Sequence, residues 1–303
     1  MSNKTTAQRQ WSLASTALID AYTDFVLSRQ AMNCTPATLD FYKYTVGVFL
    51  FWCEQQGITS PEQVTARHVR AYIAGLVSKG RKDTTLNANA RAIRTLLRFW
   101  HNEGYMPTLV KFDMPKLAKK RLPVLTVEEL QRVLKVCNGR DRAIILFMVD
   151  SGLRRAEVCA LNWGNVNMQN GLVTVKQGKG RKDRSAVISP TTRRALLVYR
   201  RTLAKWDDNT PLFQTRTGKR MTGNALRIMC HKLTQETGIK VTPHALRRTF
   251  AILSLRAGMN VLHLQALGGW AALEMVRHYA QMVDDDLLQA HSQYSPVENM
   301  PRK

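Results

Sequence analysis

Four segments in the second half of the chain hold side chains able to act on a phosphodiester. In Thr242-Pro243-His244-Ala245-Leu246-Arg247, a helix cap and a proline at the first helical position set His244 and Arg247 three apart on one face. A guanidinium donates to two nonbridging phosphate oxygens, and an imidazole beside it donates a third hydrogen bond or moves a proton. Ser151-Gly152-Leu153-Arg154-Arg155-Ala156-Glu157 puts Glu157 one helical turn after Arg154, where a carboxylate orients the guanidinium as a fixed bidentate fork. Gly178-Lys179-Gly180-Arg181-Lys182-Asp183-Arg184 carries Lys179 on a glycine-flexed segment, from which an ammonium protonates a leaving oxygen. Leu267-Gly268-Gly269-Trp270 leads on to Tyr279, whose phenolate, attacking phosphorus, forms a phosphotyrosyl ester. That ester conserves the energy of the broken bond, so rejoining needs no ATP. Each segment alone also fits a plainer role: a surface His–Arg pair, an ordinary helical Arg–Glu pair, a basic turn on DNA backbone, a partly buried tyrosine.

Positioning these groups requires a scaffold, and hydrophobic spacing outlines one. Thr126-Val127-Glu128-Glu129 opens a second domain with a helix start and acids in its first turn. This domain is predicted to be mostly helical to about residue 295, with Leu246, Phe250 and Leu253 on the far face of the His244 helix. Its exception is a pair of β-type runs, Leu172–Val175 and Ser185–Ile188, flanking the basic tip as a hairpin. Upstream, from Trp11 to Tyr105, apolar residues recur at helical spacing. One helix holds Leu18, Ile19, Tyr22, Phe25, Val26 and Leu27, and a second follows Thr35-Pro36. Ser60-Pro61-Glu62 signals the start of a third, through Val69, Tyr72, Ile73 and Leu76, and a fourth runs from about Asp83 to Asn102. Between the domains, prolines 115 and 123 bracket a basic run, the mark of a linker. The expected layout is a helical domain over 12–106, a linker over 107–123, a catalytic domain over 124–295 and a tail over 296–303.

Lysines and arginines number 45 against 22 acids, a formal charge of +23, which matches a polyanionic partner because each cation meeting a phosphate releases condensed counterions. The cations cluster where DNA contact is expected. Arg91, Arg94 and Arg98 line one side of the fourth helix, with Arg67, Arg70, Lys79, Arg81 and Lys82 nearby. Lys119, Lys120 and Arg121 mark the linker, and Arg181 and Lys182 the hairpin tip. Most should touch phosphate and position the enzyme without reading sequence. No apolar run reaches about 18 residues and no secretory h-region opens the chain, which argues against a membrane role and for a cytoplasmic setting. Five cysteines, an odd number without zinc-ligand spacing, suggest neither a disulfide framework nor a structural metal.

Taken in order, Arg154, Lys179, His244, Arg247, Trp270 and Tyr279, in contexts reading SGLRRAEV, GKGRKDR, HALRRTFA and LGGWAALEMVRHYA, resemble the tyrosine recombinase family (phage integrases, Xer-type recombinases and relatives) over about residues 12–295. The resemblance implies an all-α, SAM-like core-binding domain and a mixed α/β catalytic domain, mainly α with a small β-hairpin sheet, clamping duplex DNA between them. It implies Arg154 and Arg247 as phosphate clamps, Lys179 as general acid, His244 and Trp270 as helpers, Glu157 as support and Tyr279 as nucleophile. Two departures stand out: Arg248, where many relatives have His, and Gly269, an extra residue before Trp270. The implied activity is site-specific recombination through a 3′-phosphotyrosyl intermediate and a Holliday junction, without metal or other cofactor. It would serve integration, excision or resolution of a mobile or replicon DNA. The implied partners are duplex DNA bearing recombination sites, a homotetramer linked by exchange of a C-terminal helix beginning near Asp284, and an accessory directionality factor. The size suggests a short, Xer-like form without an arm-binding domain, acting at the nucleoid of a bacterium or for its phage or mobile element. Two alternatives stay open: a type IB topoisomerase, which would relax plasmids lacking a site, and a non-catalytic DNA-binding regulator on the same scaffold.

Overall fold

The computed structural model describes residues 13–118, 123–175, 184–270, 272–274, 276, 291–292 and 295. Lys119, Lys120, Arg121, Lys179, Arg181, Lys182, Tyr279 and the expected helix near Asp284 lie outside the described residues. The chain divides into two compact units, Met1–Lys120 and Arg121–Lys303.

Among its described residues the first unit has four α-helices: α1 (Thr16–Ala31), α2 (Pro36–Gln55), α3 (Ala66–Ser78) and α4 (Asp83–Asn102). Thr35 caps α2 with Pro36 at its first position, the pairing expected from a residue that needs no N–H there. The signal at Ser60 produces something shorter. Pro61–Gln63 forms a single 3-10 turn, and α3 starts three residues later under Thr65, whose hydroxyl accepts the His68 N–H. The Gln63 side chain returns to the Thr59 and Ser60 N–H groups, closing that turn on itself so that it does not propagate. Leu18, Phe25, Phe49, Leu50, Ile93 and Trp100 are fully enclosed, and the Trp100 indole N–H donates to Ala21 O at 3.2 Å, tying α4 to α1. Cys53 is part of this core. Ile19 and Leu27, expected along the apolar side of α1, are exposed instead.

The front of the expected linker is fastened to this unit. Val110 and Phe112 pack on its core, Arg94 donates to Phe112 O at 2.9 Å and stacks over the Phe112 ring, and Asn87 donates to Pro115 O.

The second unit runs α5 (Val127–Val136), α6 (Gly139–Ser151), α7 (Arg155–Ala160), β1 (Leu172–Val175), β2 (Arg184–Val187), α8 (Pro190–Arg200), α9 (Gly223–Thr237), α10 (Pro243–Arg256) and α11 (Val261–Gly268). Thr126 and Glu129 form a reciprocal capping box at α5. The hairpin is antiparallel, Leu172 opposite Val187 and Val175 opposite Arg184, one residue earlier on the second strand than expected. Along it Val173, Val175 and Ala186 point into the core while Leu172 and Val187 face out. Buried α6, with Ile144, Ile145, Phe147 and Met148, packs against α8 and α10. Its end and the start of α10 are thereby brought together, and the candidate site lies there.

Candidate active site

Helix α6 stops at Gly152, which adopts the left-handed conformation (φ 60°). A Cβ at that position would lie 2.2 Å from the Phe250 ring, so Gly152 satisfies both a backbone and a packing demand. The reversal starts α7 and delivers Arg154 with Glu157 one turn on. One Glu157 oxygen accepts the Arg154 guanidinium at 2.9 Å, and the other accepts the Arg154 backbone N–H at 2.7 Å. The Arg154 side chain remains 41 % exposed.

On α10, Thr242 caps through the Ala245 N–H, and Leu246 and Phe250 are buried. Arg247, one turn from His244, is itself 6 % exposed. Its guanidinium donates to Gly152 O and, at 2.7 Å, to Gly268 O. Trp270 carries it from below: the Arg247 Cζ sits 4.4 Å from the indole centroid, and the indole stacks on Phe250.

The C-terminus of α11 organises these groups. A helix leaves its last carbonyls without intrahelical partners. Here Leu267 O accepts from Arg184, Gly268 O from Arg247 and Gly269 O from Arg154, three consecutive carbonyls taken by three arginines. The carbonyl end of a helix also favours cations. Gly269 makes the turn possible in the left-handed conformation (φ 64°), and Gly268 leaves the space that the Trp270 ring fills. Gly269, which looked like an insertion, is the helix cap.

Of the three guanidiniums at this turn, Arg154 and Arg184 pair with one carboxylate, Glu157, at 2.9 and 2.8 Å, while Arg247 is held by carbonyls and the Trp270 ring. The three guanidiniums carry two positive charges more than Glu157 offsets, a local surplus that favours an anion. His244 is exposed at its edge. Partial desolvation, followed by the cations Arg248, Arg155 and Arg247, lowers its pKa below the usual value. Among the described residues no cluster of three metal-ligating side chains occurs, and no helix is long and apolar enough to cross a membrane.

Of the expected site residues, Arg154, Glu157, Arg247 and Trp270 are brought together, with His244 on the same helix face as Arg247. Arg184 was not singled out from the sequence. Its signal was available only as an arginine at the hairpin's return strand, with nothing local to say that its partners are 27 and 83 residues away. Of the expected DNA contacts, Arg67, Arg70, Lys79, Arg81, Lys82, Arg91 and Arg98 are exposed, whereas Arg94 is half-buried against Phe112.

Residues 123–285 match the model of the phage integrase family, and residues 22–103 match that of its N-terminal SAM-like domain. The chain belongs to the phage integrase family. Among curated relatives, the tyrosine recombinase XerA of Pyrococcus furiosus is 29% identical over 298 residues, covering 96% of this chain and 98% of the relative. XerA of Thermococcus onnurineus is 30% identical over 275 residues, covering 89% and 93%. The fold is also that of the Tn1549 transposon integrase solved with a circular intermediate DNA (TM-score 0.72, 18% identity, 88% of this chain and 95% of that one). This phage integrase family member is a site-specific DNA recombinase, mainly α with a small β-hairpin, and its partner is DNA.

Proposed function

We propose that this recombinase cleaves and rejoins DNA by attack of the Tyr279 phenolate on a scissile phosphate held by Arg154 and Arg247. The observation that carries this reading is the anchoring of both guanidiniums to adjacent carbonyls, Gly269 O and Gly268 O, which sets them side by side. As Tyr279 attacks, a bond forms from its oxygen to phosphorus and the bond to the 5′-oxygen breaks. The 3′-phosphate stays on the enzyme. Lys179 gives the departing 5′-oxygen its proton, and His244 donates to a nonbridging oxygen or relays a proton. Trp270 packs beneath Arg247. Rejoining reverses these steps on a new 5′-hydroxyl; a first round of strand exchange forms a Holliday junction and a second resolves it. In this scheme the fixed arginines supply the stabilising charge in place of a metal, and the phosphotyrosyl ester, which conserves the energy of the broken bond, makes ATP unnecessary.

In this reading the exposed cations of α3, α4 and the turn between them (Lys79, Arg81, Lys82), together with the cations at 119–121, 181 and 182, hold the duplex backbone, across domains bounded near residues 106 and 124. Four copies assemble on two sites through a C-terminal helix, with an accessory factor setting direction, in the cytoplasm of a bacterial or mobile-element host. The element's own flanking DNA is the first substrate to try. Labelled fragments incubated in EDTA with wild type should give a slow, protease-sensitive band on a denaturing gel, absent with Tyr279→Phe. DNA binding without any adduct, even on nicked suicide fragments, would favour a regulator. Relaxation of plasmids lacking a site would favour a type IB topoisomerase.

A further inference from the structure

Arg184, the first residue of β2, reaches the site from a third direction. Its side chain is only 11 % exposed. One guanidinium nitrogen donates to Leu267 O at 2.6 Å and the other to Glu157 at 2.8 Å. Its Nε–H is buried and finds no partner among the described residues. The Glu157 oxygen that meets Arg184 is the one that accepts the Arg154 backbone N–H, and its second oxygen takes the Arg154 guanidinium. Gly269 leaves the space the arginine needs, since a Cβ there would lie 2.4 Å from the Arg184 Nε.

Stability alone does not account for this arrangement. A buried ion pair replaced by apolar side chains of similar volume is often neutral or stabilising, and an unpartnered buried N–H is a cost. What Arg184 adds is geometry. It fixes one oxygen of Glu157 and so the plane of the carboxylate, and that plane dictates where the Arg154 fork points. It also fastens the hairpin strand to the α11 turn whose next two carbonyls hold Arg247 and Arg154.

We propose that Arg184 is a positioning residue for phosphate binding, acting through Glu157 on Arg154 and through Leu267 O on the α11 turn. It acts through these partners and does not itself contact the phosphate. The proposal rests on the phosphotyrosyl reading above.

The test uses the full chain, with adduct formation followed under single turnover at saturating DNA, and DNA affinity measured separately. Arg184→Gln should slow adduct formation about 10- to 100-fold, the usual effect of losing a partner that orients a functional group. Affinity should change less than about threefold. Arg184→Lys should restore only part of the rate, because one ammonium cannot reproduce the planar two-way fork. The deciding comparison is with Arg154→Ala: Arg184→Gln added to it should cost much less than it does in the wild type, since the route through Glu157 is already gone and only the effect through the α11 turn on Arg247 remains. Losses that multiply, or a wild-type rate in Arg184→Gln, would overturn the proposal. If Arg184→Gln fails to fold, the near-isosteric Arg184→Met takes its place in the same cycle. A readout independent of turnover is NMR of the guanidinium N–H groups. The restricted Arg154 signals, assigned with Arg154→Lys, should broaden or vanish in Arg184→Gln, and their persistence would contradict the proposal. If the wild type forms no adduct, the phosphotyrosyl reading fails and the NMR result alone decides whether Arg184 orders Arg154.

Discussion

Three carbonyls at one helix end hold three arginines, and the chemical consequence differs for each. Arg247 is nearly enclosed, with Gly152 O, Gly268 O and the Trp270 face fixing it, so in the proposed scheme it is a preorganised donor that needs no rearrangement when charge builds on phosphorus. Arg247→Ala should therefore reduce adduct formation by about 10²–10³-fold while fragment binding, spread over many phosphates, falls far less. Equal losses in rate and affinity would argue against a transition-state role. His244 gives a pH prediction. Burial and then Arg248, Arg155 and Arg247 lower its pKa, so the unfolded chain takes up its proton more readily than the folded one. Its contribution is undiminished above about pH 6.5 and turns destabilising as pH falls from there to the folded pKa. A histidine NMR titration of the DNA-free protein should place His244 below 6.5, and Arg248→Gln should raise it. A value at or above 6.5 would contradict the electrostatic description.

Helix ends, more than helix faces, build this site. Gly152 ends α6 and Gly269 ends α11, both left-handed, and a side chain at either would strike Phe250 or Arg184. Gly152→Ala combines the αL penalty with an overpacked Phe250, a cost of at least about 2 kcal/mol. In a unit of this size that lowers the melting temperature of its transition by about 4 °C or more. An unchanged melting curve would mean the ring moves aside at no cost. The sequence was legible where the determinant is local. Thr242-Pro243 and Thr126 through Glu129 carry their own caps, and Arg154 with Glu157 sits at a plain helical spacing. It was illegible where the determinant is distant. Ser60-Pro61 looks like a helix start, yet Gln63 folds back and ends the turn. Arg184 gains its meaning only when β2 meets α7 and α11. Gly269 looks superfluous in the sequence, yet in the fold its carbonyl holds Arg154.

Across the chain, a surplus of 23 positive charges makes affinity for DNA electrostatic first and specific second. Arg91 and Arg98 are exposed on α4, so neutralising each should flatten the log–log salt dependence of DNA binding by about one unit for every phosphate it pairs with. Arg94 behaves differently because it is committed to Phe112. Arg94→Gln should destabilise the helical unit and leave the salt slope nearly unchanged, and a slope change matching Arg91→Gln would return it to the DNA face. The basic composition could be read from the sequence, but not which cations were already engaged. That depends on where residues 110–115 fold back onto α4.

The central claim, covalent chemistry at Tyr279, is tested most directly by mass spectrometry of the trapped adduct. Wild type incubated in EDTA with a nicked suicide fragment, then digested with protease and nuclease, should yield a nucleotide-bearing peptide modified at Tyr279. An adduct on any other residue, or none on DNA that the enzyme binds, would contradict the account.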